Sequence, residues 1–169
     1  MLGGLEIHPA IVHFPIALTA VAALSAIVYM LFRVEWIRWF APVLLSLALL
    51  GAVAAYFSGE SAKDRAEKLG VPEAAIEKHE ETGIWGLGTT GLACLLTWAT
   101  HTRRRAVFLS TVLAVTASGI FLWNGHLGGQ LVFIHGAGKV SAPAPAAATR
   151  AAAHSGTAHP RAPHPRKKR

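Results

Sequence analysis

The sequence predicts an all-α fold, an integral membrane four-helix bundle with short interfacial segments and a disordered basic C-terminal tail. Three observations predict it. The 169 residues are 53% hydrophobic and only 15% charged, with a mean hydropathy of +0.42, whereas soluble domains carry about 25% charged residues. The charges are clustered, which leaves uncharged windows as long as the ~20 residues that a membrane-crossing helix needs. From Ser141 the text changes to Ala/Pro/His/Arg repeats with almost no large apolar residue. Such a segment cannot bury a core.

The windows give four spans, at about residues 10–32, 39–59, 82–100 and 106–125, within a membrane domain of residues 1–140, followed by a tail of 141–169. The first run lacks a basic stretch before Arg33 and is too long for the apolar part of a signal peptide, so it is expected to be retained. The RVEWIR link of Arg33 to Arg38 is short enough to force an antiparallel pair, with Trp36 and Trp39 where interfacial tryptophans belong. Span two has Pro42 near its start, where a missing N–H costs least. Gly51 and Ala55 form a small-xxx-small pair for close helix approach.

The mixed-charge segment ESAKDRAEKLG then reads as a short interfacial helix ending near Gly70, and Pro72 suits the first turn of the next helix. Nothing in EAAIEKHEETGIWGLG breaks that helix before span three, so His79 falls one turn above the membrane. Span three exits into HTRRRA and span four returns. From Ala106 to Gly138 there are 33 residues without a formal charge. As one helix they would run about 50 Å, more than a ~30 Å hydrocarbon core. A break is therefore expected at the glycines of NGHLGG, with 126–138 an interfacial or re-entrant segment.

The net charge of +7 does not point to nucleic acid, because seven of the 16 basic residues lie from Lys139 onward. A solvated polybasic tail suits anionic lipid instead. The single cysteine, Cys94, excludes an intramolecular disulfide and a thiolate metal cluster. C-x-x-C-H, H-E-x-x-H, Walker, G-x-S-x-G and dinucleotide-binding motifs are all absent.

Histidine is the residue type that stands out. Four antiparallel spans bring His8, His13, His79, His126 and His135 to one membrane face. Neutral imidazole suits transition metals, and two opposed imidazoles suit a b-type haem. The expected cofactor-binding set is His8, His13, His79, His126 and His135, led by His13, His79 and His135, with Glu80 and Glu81 as carboxylates for a mixed metal site. Below His13 the helix face holds Ile16, Ala17 and Ala20; below His79 it holds Thr82, Gly83 and Gly86. These small residues leave room for a flat cofactor and equally permit tight helix contact. Each histidine alone also has a structural reading, as a helix-end tie or a solvated loop residue. The expected partners are the lipid bilayer, a redox partner protein and a second copy of the chain.

HPAIVHFPIAL, the histidine opening span three, and GHLGGQLVFIHGAG together resemble the bacterial membrane family of domain of unknown function 2231, over about residues 5–140. The resemblance implies a four-span membrane protein in electron-transfer surroundings, similar to small membrane cytochromes. The matching positions are His8, Pro9, His13, Pro15, His79, Gly128, Gly129, His135 and Gly136. The chain departs from the family's HGVGV by reading HGAGKV, with Lys139. Arginine density in the two short loops (Arg33, Arg38 and Arg103 to Arg105) predicts a cytoplasmic arginine face and an extracytoplasmic histidine face at a bacterial inner membrane.

Overall fold

The computed structural model describes residues 4–100 and 104–138. Four helices follow one another: α1 (Gly4–Phe32), α2 (Phe40–Lys68), α3 (Glu73–Thr100) and α4 (Arg104–Phe133), with a 3₁₀ turn at Glu35–Trp39 between the first two. They pack as a ring in which α1 meets α2 and α4, and α3 meets α2 and α4. Cross-helix contacts run antiparallel from α1 to α2 (His8 with Ser58, Pro15 with Gly51), from α2 to α3 (Lys63 with Glu80, Ser46 with Cys94) and from α3 to α4 (His79 with Asn124, Gly86 with Phe121). The predicted tail and His101 lie outside the described residues.

The interior reverses the pattern of a soluble bundle. Ala22, Ala23, Leu45, Ala93, Cys94 and Ala114 form the central cluster, while Phe14, Leu24, Leu50, Phe57 and Leu95 are well exposed. Lipid is as apolar as leucine, so large side chains gain nothing by hiding from it. Small ones let the backbones close up. Gly51 shows the effect: a Cβ there would sit 3.3 Å from the Pro15 ring on α1.

Three stretches, Ile7–Phe32, Glu35–Lys68 and Ala106–Phe133, are long and apolar enough to cross a membrane. The expected span at 82–100 is not among them. That part of α3 carries no formal charge, but Gly83, Gly86, Gly88, Gly91 and a set of threonines hold its hydropathy down. α3 is a bundle helix of the same length class as its neighbours.

Two expected breaks do not occur. α2 runs unbroken through Gly59 to Lys68, so the mixed-charge segment continues span two. One helical glycine costs only about 1 kcal/mol, and ESAKDRAEK is rich in helix formers. α4 likewise runs through Gly125, Gly128 and Gly129 to Phe133, so residues 126–133 are its last two turns. Gly125 and Gly128 serve packing: a Cβ at Gly125 would lie 3.0 Å from Ile16, and at Gly128 3.1 Å from His79.

Both even helices stop with a glycine in the left-handed region, Gly70 (φ 79°) and Gly136 (φ 76°). After α2, the Gly70 amide donates to Glu67 O and Val71 to Ala66 O; after α4, Ala137 donates to Leu131 O. These are glycine C-caps. They fold Val71 and Ala137 into one small cluster with Ala66 and Ile76.

Candidate functional site

Between the N-terminal parts of α1 and α3 and the C-terminal parts of α2 and α4 lies a cavity of about 520 Å³. Its walls are mainly apolar, from Val12, Ile16, Ala52, Leu87 and Phe121 among others. His8 and His79 enter it from diagonally placed helices. Their ring centroids are 6.2 Å apart and their planes stand at 88°.

Each ring is held through Nδ1. Ser58 donates its hydroxyl to Ala55 O at 3.0 Å, which leaves its oxygen to accept from His8 Nδ1–H at 2.9 Å. His79 Nδ1–H donates to Asn124 O at 3.2 Å. With Nδ1 protonated, the neutral ring keeps its lone pair on Nε2. Anchoring one ring nitrogen through hydrogen bonding is how proteins orient a metal-binding histidine. Each ring also rests on a glycine: a Cβ at Gly59 would lie 3.3 Å from His8 Cε1, and at Gly128 3.1 Å from His79 Cε1. Burial holds the His79 imidazole below the usual histidine range, with its Asn124 hydrogen bond and Glu80 pulling the other way.

The other expected site residues are placed differently. His13 reaches the cavity wall, but it is exposed and its Nδ1–H donates to Pro9 O one turn back. His126 faces outward, bonded to Gln130 at 3.0 Å and packed on Trp123. His135 sits in the turn ended by Gly136 and does not line the cavity. Glu80 is ion-paired with Lys63 at 2.9 Å, and Glu81 is exposed and away from the cavity. All five histidines lie toward one end of the bundle, but only His8 and His79 face each other. Among the described residues, no group of three or more His, Cys, Asp or Glu side chains is arranged to hold a metal ion. His8 and His79 are the two that could hold a shared group between them.

The sequence did carry a signal for this pair. His8 and His79 are 71 positions apart, and so are Thr19 and Thr90, Ala22 and Ala93, and Ala23 and Cys94, all six of the latter buried. On the even helices the offset is 69, pairing Gly59 with Gly128, Ala55 with Asn124, Leu45 with Ala114 and Ala48 with Ala117. The α1–α2 hairpin and the α3–α4 hairpin thus repeat one pattern, with a histidine from the first helix resting on a glycine of the second. In both, the ring's hydrogen bonding ends at the carbonyl of the equivalent residue, Ala55 or Asn124. Side-chain identity has drifted too far for the eye to find the repeat without the core positions.

The family model described as a predicted membrane protein, domain of unknown function 2231, matches residues 4–141. The chain belongs to that family. It is a membrane protein of this family, and both histidines of the facing pair fall inside the matched region. No curated protein and no solved structure matches the chain.

Proposed function

We propose that this member of the family holds one haem b between His8 and His79 and serves electron transfer in the membrane. The observation that carries the reading is the anchored imidazole pair. The two ring centroids stand 6.2 Å apart, and each ring is held through Nδ1, which leaves its Nε2 as the nitrogen that could hold one shared group. The apolar cavity around them suits a porphyrin better than a bare ion, since no third ligand comes from the described residues. A transition metal ion alone is the narrower variant of the same reading.

When bound, such a group supplies one-electron redox chemistry. The chain's own residues would orient it: Ser58 and Asn124 fix the ring tautomers, Gly59 and Gly128 let the Cε1 edges of the rings approach α2 and α4, and Phe121, Leu87 and Ile16 supply apolar wall. The histidine end faces outside the bacterial inner membrane, where a redox partner protein reaches it, and the arginine loops face the cytoplasm.

Purified protein supplied with haem during expression tests this. The reading expects a Soret band with split α and β bands on reduction, at one haem per chain. A colourless preparation without stoichiometric metal would contradict it. That outcome would favour a scaffold whose histidines only tie helices, as the bonds of His8 to Ser58 and of His79 to Asn124 O would do.

A further inference from the structure

The repeat makes the two faces of the cavity alike and leaves its edges unlike. His8 and His79 are equivalent, as are the glycines and carbonyls behind them. Around the rim the equivalence fails. Lys63, Glu80 and Glu60 on α2 and α3 correspond to Val132, Pro9 and Gly129 on α4 and α1, and all six line the cavity. One edge is thus charged and the opposite edge apolar. Among the described residues, Lys63 is the only Lys or Arg that lines the cavity. It stands one helical turn beyond Gly59, the residue against which the His8 ring rests.

Resting on the haem reading above, we infer that the site takes a flat amphipathic ligand in a single orientation, with its anionic edge on Lys63 and its apolar edge toward Pro9 and Val132. A ligand with two identical edges would have no use for this asymmetry. Lys63 now bonds Glu80 Oε2 at 2.9 Å, and both side chains are about a third exposed (32% and 31%). An ammonium has three donors, so it can accept a ligand carboxylate while keeping part of its hold on Glu80. The nearby carboxylates of Glu60 and Glu80 weaken that attraction without abolishing it, so Lys63 is a specificity residue and the imidazoles remain the anchors.

The test compares haem with haem dimethyl ester, which lacks the anionic carboxylates, by optical titration of the full chain in detergent micelles. Wild type is expected to prefer haem by about tenfold, the scale of one charge-assisted hydrogen bond. Lys63→Met should erase the preference while both porphyrins keep the two-histidine spectrum, and Glu80→Gln should enlarge it. Two-histidine binding with no preference in wild type, or a preference that survives Lys63→Met, would overturn the edge assignment alone. If neither porphyrin gives a two-histidine spectrum, the haem reading falls and the inference falls with it.

Discussion

The two ends of the bundle are built on the same repeated hairpin and differ in what their polar groups do. At the arginine end Thr97, Ser110 and Thr111 donate back to carbonyls of their own helices, Ala93 O and Val107 O. They enclose, with Tyr29 and Arg38, a void of only about 20 Å³, space for a single water. At the histidine end His8 and His79 bond across to Ser58 and to Asn124 O, and the void is about 520 Å³. Rings seated on glycine leave the histidine end open, and hydroxyls turned back on their own helices leave the arginine end closed.

The largest expected effect is at the boundary of the closed half. Leu45 is fully buried among Ala22, Ala23, Ala93, Cys94 and Ala114, with small neighbours that cannot fill the space it leaves. Leu45→Ala should cost about 2–5 kcal/mol, read by unfolding in mixed micelles. If it costs under about 1 kcal/mol, the closed half is not close-packed and the contrast between the ends fails.

Next comes the glycine seat of the open end. Gly128→Ala places a methyl about 3.1 Å from His79 Cε1. It should cost about 1–3 kcal/mol by overpacking and displace the ring from its bond to Asn124 O. Gly129→Ala, with nothing within 4 Å of its Cβ position, should be neutral or slightly stabilising. Thermal unfolding and haem titration of the pair separate the two. Equal behaviour would mean that the glycine is not a seat.

The smallest effect compares equivalent positions of the repeat. Thr19 donates to Pro15 O at 2.6 Å, whereas the Thr90 hydroxyl, equally buried, has no hydrogen-bond partner. Thr90→Val should therefore stabilise by about 1 kcal/mol, and Thr19→Val should cost a similar amount. Unfolding titrations that order them the other way would show that Thr90 binds a group absent from this account.

How much of this was legible in the residues alone depends on the kind of signal. The helices, the Trp36–Trp39 turn and the stop at Gly70 follow from charge clustering and glycine chemistry, which act locally. The continuity of α2 and α4 does not. Gly125 and Gly128 read as a break, and Gly59 as the end of span two, because their use is tertiary, to admit a histidine ring or the Ile16 side chain. Topology places five histidines toward one end but does not say which of them face each other. His13, His79 and His135 lead the expected set, and nothing local in the sequence sets His8 above His13 or His135. What decides is helix face: His13 turns outward one and a half turns below His8, and His135 belongs to the cap closed by Gly136. The 71-residue offset was present throughout and became visible only once the buried positions were known.

The central claim is that His8 and His79 act as one ligand pair, and haem titration of single and double variants tests it most directly. His8→Ala and His79→Ala should each abolish the two-histidine spectrum, and the double variant should lose no more than either. Alanine at His13, His126 or His135 should leave it intact at one haem per chain. A two-histidine spectrum that survives His8→Ala or His79→Ala, or one that vanishes with His135→Ala in a folded protein, would contradict the account.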